Sequence, residues 1–200
     1  LIITDPGVLS AGLLNKTLDR FKQLSLPVQV FSGVKADPPT SVIEEAIRVA
    51  RSCHADCIVG FGGGSSMDVA KLTALLAINN EVLQDVYGVG MAKGPRLPLF
   101  LIPTTAGTGS EVTTISIVTV SESEKKGVVS PHLLPDVALL DAELTLGLPP
   151  DVTAATGIDA IVHAIEAFTT KRLKNPISDC LAKEALRLLH GNLHKAVKSG

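Results

Sequence analysis

The sequence has no basic stripe, no apolar run long enough to span a bilayer, no cysteine framework and no internal repeat. Lysine and arginine total 18 against 20 aspartates and glutamates, and they are spread along the chain. That distribution excludes the concentrated positive face of a nucleic-acid binder. Runs such as 97–102 and 75–78 are far shorter than the ~20 residues a membrane helix needs. The three cysteines, Cys53, Cys57 and Cys180, are an odd and sparse set. They argue against disulfides and for a reducing, cytoplasmic compartment. Cys53-His54-Ala55-Asp56-Cys57 resembles a metal knuckle, but no second pair follows, so ordinary thiols are the better reading. No signal peptide is visible, and the chain opens on Leu1 rather than Met.

What is present is 46% hydrophobic and 19% charged, a balance that supports a buried core. Short apolar runs alternate with amphipathic stretches. Strands are expected at 1–5, 28–31, 57–61 and 97–102, with helices between them at 10–25, 40–50 and 65–78. Ser10 is the expected cap of the first helix, and Asp37-Pro38-Pro39-Thr40 a turn and helix start. Alternation of this kind means βαβ units and a parallel sheet. Residues 114–120 and 127–130 read as an antiparallel hairpin added to that sheet, closed by the charged turn Glu122-Ser123-Glu124-Lys125-Lys126. A last buried strand is expected at 137–140. Pro149-Pro150 then breaks the chain, and helices are expected at 151–156, 157–170 and 176–198. The fold class is therefore α/β, with a Rossmann-like parallel-sheet domain over 1–148 and the start of an all-helical domain over 149–200.

Three stretches carry chemistry. Gly60-Phe61-Gly62-Gly63-Gly64-Ser65-Ser66-Met67-Asp68 joins a strand to a helix. Consecutive glycines let backbone approach a ligand and adopt positive φ, and the helix N-terminus offers free N–H groups to a pyrophosphate. It is not the usual dinucleotide fingerprint, because Ser65 stands at the third glycine, and no P-loop lysine follows. Asp5, at the end of the first strand, is placed either to accept from ribose hydroxyls or to cap a helix. In the first role it would repel a 2′-phosphate. Pro103-Thr104-Thr105-Ala106-Gly107-Thr108-Gly109-Ser110-Glu111 is a second glycine- and hydroxyl-rich loop at the same end of the strands. In Gly157-Ile158-Asp159-Ala160-Ile161-Val162-His163-Ala164-Ile165-Glu166, Asp159 and His163 lie four residues apart on one helix face. They are either a polar pair or two ligands of a metal.

Together with Pro131-His132-Leu133-Leu134-Pro135-Asp136-Val137-Ala138 and Leu148-Pro149-Pro150, these stretches resemble the iron-containing (group III) alcohol dehydrogenases across essentially the whole chain. The resemblance implies a dehydroquinate synthase-like architecture and a metal-dependent, NAD-linked oxidation of a primary alcohol or small diol. It implies that Gly63, Gly64 and Ser65 hold the cofactor pyrophosphate, braced by Asp68, and that Thr104, Thr105 and Thr108 line the nicotinamide side. Lys125 would reach the ribose, Asp5 would favour NAD over NADP, and Asp37 would lie near the adenosine end. Asp159 and His163 match two of four metal ligands, and this carboxylate–imidazole set suits Fe²⁺ or Zn²⁺. The family's other two ligands are histidines well downstream, so half a metal site is expected here. His190, His194, His54 and His132 are left outside it. The family places a strand and helix before the opening stretch, so the chain is expected to be part of a longer protein. It also implies a homodimer or larger homo-oligomer. The alternatives are an NAD-binding fragment without catalysis, or a related glycerol dehydrogenase or hydroxyacid transhydrogenase.

Overall fold

The computed structural model describes residues 1–199. In chain order these form β1 (Ile2–Ile3), α1 (Pro6–Ser10), α2 (Asn15–Gln23), β2 (Val30–Phe31), α3 (Thr40–Ser52), β3 (Ile58–Gly62) and α4 (Gly64–Leu76). There follow β4 (Gly88–Val89), β5 (Leu99–Pro103), β6 (Ile115–Ser121), β7 (Glu124–Val129), β8 (Val137–Ala138), α5 (Pro150–Thr169) and α6 (Pro176–Ser199). Among the described residues, no helix is long and apolar enough to cross a membrane.

Contacts divide the chain into two compact units. The first comprises Leu1–Thr104 and Ser110–Asp141; the second comprises Thr105–Gly109 and the chain from Ala142 onward. The first unit holds a parallel sheet in the order β2-β1-β3-β5-β8. β3 and β5 run in step from Ile58 against Leu99 to Gly62 against Pro103. Their carboxyl ends therefore finish level, and the Thr104 N–H donates to the Gly62 carbonyl at 2.9 Å. The segments after β3 and β5 thus leave the sheet from neighbouring strands, at the end where open α/β sheets bind ligands.

The core explains the helices. α3 turns Val42, Ile43, Ala46, Ile47 and Ala50 inward at helical spacing. α4 is different, because ten of its thirteen residues are buried. A helix buried nearly all round lies inside a layered domain rather than on its surface. Its Met67, Val69, Ala70, Leu72, Leu75 and Leu76 join Ile3, Ile58, Leu99 and Leu101 in one cluster.

Four expectations are corrected. Asp5, not Ser10, caps the first helix: its Oδ1 accepts from the Val8 N–H at 3.0 Å, and Pro6 opens the helix. Ser10 ends that helix, and the chain turns before α2 begins. The hairpin β6–β7 does not extend the parallel sheet. It forms a second, three-stranded sheet in the order β4-β7-β6, because β8 already occupies the position beside β5. β8 is an edge strand with Val137 42% exposed, so it is not buried as expected. Finally, 150–169 is one continuous helix: Gly157 lies inside it and is buried, so the glycine does not end it.

Leu101 is fully buried on β5. Leu101→Ala should therefore lower stability by about 2–5 kcal/mol, read as a fall in the denaturant midpoint at unchanged slope.

Candidate functional site

The glycine loop is built by a close approach. Gly62 has φ +153, and a Cβ there would meet Ser66 Oγ at 2.6 Å and Asp5 Oδ2 at 3.0 Å. The need for positive φ falls on Gly62 alone, since Gly63 precedes α4 with φ −78. No side chain caps α4. Its first-turn N–H groups at Gly64, Ser65 and Ser66 have no acceptor within the helix, and the positive end of the helix dipole lies among them. Gly63, Gly64 and Ser65 are all partly exposed, so an anion can reach them.

Asp5 faces this loop. Its Oδ1 holds the cap of α1, and its Oδ2 accepts from Ser66 Oγ at 3.2 Å. Asp5 is thus a helix cap that also stands beside the start of α4. Thr104 is buried and tied to Gly62 through its backbone. Asp37 and Lys125 meet each other: Lys125 Nζ lies 2.6 Å from Asp37 Oδ1, with side chains 52% and 68% exposed. An ion pair this exposed contributes at most about 1 kcal/mol, so both groups stay exchangeable with a ligand.

Asp68 is committed within the protein. Its Oδ1 accepts from Ser110 Oγ at 2.8 Å and its Oδ2 from the Ile117 N–H at 3.0 Å. Burial raises its pKa, opposed by the Ile117 N–H, the nearby Lys71 ammonium and the Ser110 hydroxyl. Lys71 is the residue that sequence reasoning missed. It is fully buried, and Nζ donates to Ser110 Oγ (3.0 Å), Thr113 Oγ1 (3.1 Å) and the Ile115 carbonyl (2.8 Å). Burial lowers its pKa from 10.5 to about 8, opposed by Asp68 and Glu111. The available signal was one lysine inside the apolar run Val69–Leu76, three residues after Asp68. The network ties α4 to the segment that follows the second glycine loop, so Asp68 acts on that loop's far end.

Thr105 and Thr108 belong to the second unit, with Asp159 and His163. On α5, Asp159 Oδ1 and His163 Nε2 lie 3.6 Å apart, with side chains 43% and 49% exposed. Two donors held at about 2.0–2.2 Å by one tetrahedral ion lie roughly 3.3–3.6 Å apart, so the pair fits a shared metal. Among the described residues, no group of three or more His, Cys, Asp or Glu could hold a metal. The pair by itself offers two donors.

Residues 1–142 match the family described as iron-containing alcohol dehydrogenase, and residues 153–200 match the C-terminal family of the Fe-containing alcohol dehydrogenases. The chain is 43% identical to long-chain-alcohol dehydrogenase 1 of Geobacillus thermodenitrificans, over all of this chain and 51% of that protein. It is 37% identical to the NAD-dependent methanol dehydrogenase of Bacillus methanolicus, over all of this chain and 52% of that protein. The crystal structure of sulfoacetaldehyde reductase from Bifidobacterium kashiwanohense in complex with NAD⁺ superposes with a TM-score of 0.92 at 34% identity. That match covers 99% of this chain and 52% of that one. The chain thus spans about half the length of these relatives.

The lysine makes a pH prediction. Between about pH 8 and 10.5 the folded chain has released the Lys71 proton while the unfolded chain still holds it. Protons bound in excess by the unfolded state make stability rise with pH. Across that window the wild type should therefore gain stability relative to Lys71→Met, measured as denaturant unfolding free energies at pH 7, 8.5 and 10.

Proposed function

The chain belongs to the iron-containing alcohol dehydrogenase family, and from that premise we propose that it is the cofactor-binding part, and the start of the metal-binding part, of an NAD-linked alcohol dehydrogenase. The substrate class is a primary alcohol or small diol. The observation that carries the proposal is the 3.6 Å spacing of Asp159 Oδ1 and His163 Nε2 on one helix face, in a chain that also carries an uncapped helix behind a glycine loop.

The roles follow from the chemistry of each group. The N–H groups of Gly64 and Ser65, with the backbone of Gly63, bind the cofactor pyrophosphate at the positive end of α4. Asp5 accepts from the ribose hydroxyls, and its charge repels a 2′-phosphate, which selects NAD over NADP. Asp37 and Lys125 exchange their mutual ion pair for contacts with the adenosine end and a ribose. Thr104, Thr105 and Thr108 orient the nicotinamide side, and Asp68 braces the loops. Asp159 and His163 hold Fe²⁺ or Zn²⁺, both of which accept carboxylate and imidazole ligands. When bound, the ion supplies Lewis acidity toward an alcohol oxygen and NAD supplies a hydride acceptor. A cytoplasmic location and a homodimeric or larger assembly complete the proposal.

The full-length protein, purified without air, tests this by metal analysis, NADH titration, and oxidation of ethanol and a 1,2-diol with and without Fe²⁺ or Zn²⁺. Metal-dependent NAD reduction is expected. Saturable NADH binding with no metal-dependent oxidation of any alcohol would leave a cofactor-binding protein and sink the enzyme. Asp159→Asn and His163→Ala should each weaken metal binding by at least about tenfold, since even losing a group that only supports a ligand costs 10–100-fold. Asp5→Ala should narrow the NAD over NADP preference at least about tenfold. A like-charge contact near a protein surface is worth on the order of 1–4 kcal/mol, and the ratio of kcat/KM values for the two cofactors reads it.

A further inference from the structure

The segment Thr105–Gly109 leaves the parallel sheet but packs with the helical unit. One of its glycines lies against α5. A Cβ on Gly107 would meet the Thr156 carbonyl oxygen at 2.6 Å, Thr156 Cβ at 2.8 Å and the Thr156 carbonyl carbon at 3.0 Å. The loop therefore rests on the backbone of α5 itself, and only a residue without a side chain approaches that closely. Thr156 does not reach out to the loop, because its hydroxyl donates to the Val152 carbonyl at 2.9 Å within its own helix.

The same turn of α5 is gripped from α6. A Cβ on Gly157 would overlap the Leu193 side chain. Around these contacts the packing is open: Ala106, Thr153, Thr156, Gly157, Leu189 and Leu193 help line an apolar cavity of about 350 Å³. At Gly107 the loop and α5 approach backbone to backbone. Thr156 lies three residues before Asp159, less than one helical turn away.

We infer that Gly107 is a positioning residue that makes the hydroxyl loop and the metal-ligand turn of α5 one body, so that cofactor and metal binding are thermodynamically coupled. The inference rests on the proposed roles of Thr105 and Thr108 toward the cofactor and of Asp159 and His163 toward a metal. Cofactor bound through Thr105 and Thr108 orders the loop. Through the Gly107–Thr156 contact it orders the turn carrying Asp159, and the metal then finds a ligand whose ordering is already complete. Linkage requires the reverse effect to be equal.

The experiment measures both affinities on the full-length, metal-stripped protein. NADH is titrated by its fluorescence with and without saturating Zn²⁺, and Zn²⁺ by competition with a chelating indicator with and without NADH. In the wild type each ligand should tighten the other by about fivefold or more, the lower end of measured couplings. In Gly107→Ala that factor should fall toward one. A role limited to stability would weaken both ligands and leave the factor unchanged, and that result overturns the inference. A wild-type factor of one also overturns it while leaving the enzyme proposal standing. Absence of NADH binding removes both together. Hydrogen exchange on the wild type needs no variant: NADH alone should protect amides 157–160. Protection confined to 62–66 would overturn the inference.

Discussion

An ammonium group without solvent contact must find its acceptors inside the protein, and Lys71 finds three, in Ser110, Thr113 and the Ile115 carbonyl. A buried charge left unpaired costs several kcal/mol, so the residues around it are not free to move independently. Ser110 accepts from the lysine and donates to Asp68, and Asp68 in turn accepts from the backbone of β6 at Ile117. The hydroxyl relays one charge to the other. Because Lys71 and Asp68 both lie on α4, this relay joins the helix that begins at the first glycine loop to the segment after the second loop. Thr104 joins the same loops by a backbone bond to Gly62. The packing of α4 against residues 110–117 therefore meets the needs of a lysine in the core.

The Asp159–His163 pair lives under a different constraint. Asp159 and His163 are each close to half exposed, and Ile158, Val162 and Ile165 beside them are 54%, 44% and 46% exposed. What α5 supplies is spacing: a helix sets residues four apart on one face, within reach of a common ion. A tight site requires further donors and a drier environment.

Local pattern announced much of this fold. The glycine loop, the strand–helix alternation through β5 and the Asp159–His163 spacing depend on residues near in sequence, and they were legible. The misreadings share one cause. Alternation marks a strand but not its neighbour, so it cannot say which sheet the hairpin joins. Its true site on α4 depends on β8 occupying the edge beside β5 and on Asp68 accepting from Ile117. Ser10 looked like a cap until Asp5 and Pro6 started the helix five residues earlier. Gly157 looked like a break, yet it is where α5 presses on Leu193. Lys71 reads as an ordinary helix lysine until its three acceptors, 39 to 44 residues away, are in place.

The sequence by itself determined the α/β class, the two glycine-rich loops, the acid at the end of β1 and the spacing of Asp159 and His163 on α5. Each of these follows from steric freedom, helical period or strand alternation over a few residues. Only the tertiary structure decided that α4 carries a charge relay, that the hairpin builds a sheet of its own, and that the 105–109 loop packs against α5 at Gly107. Those outcomes rest on which distant surfaces meet, and contact of that kind is set by the balance of burial and hydrogen-bond satisfaction over the whole unit.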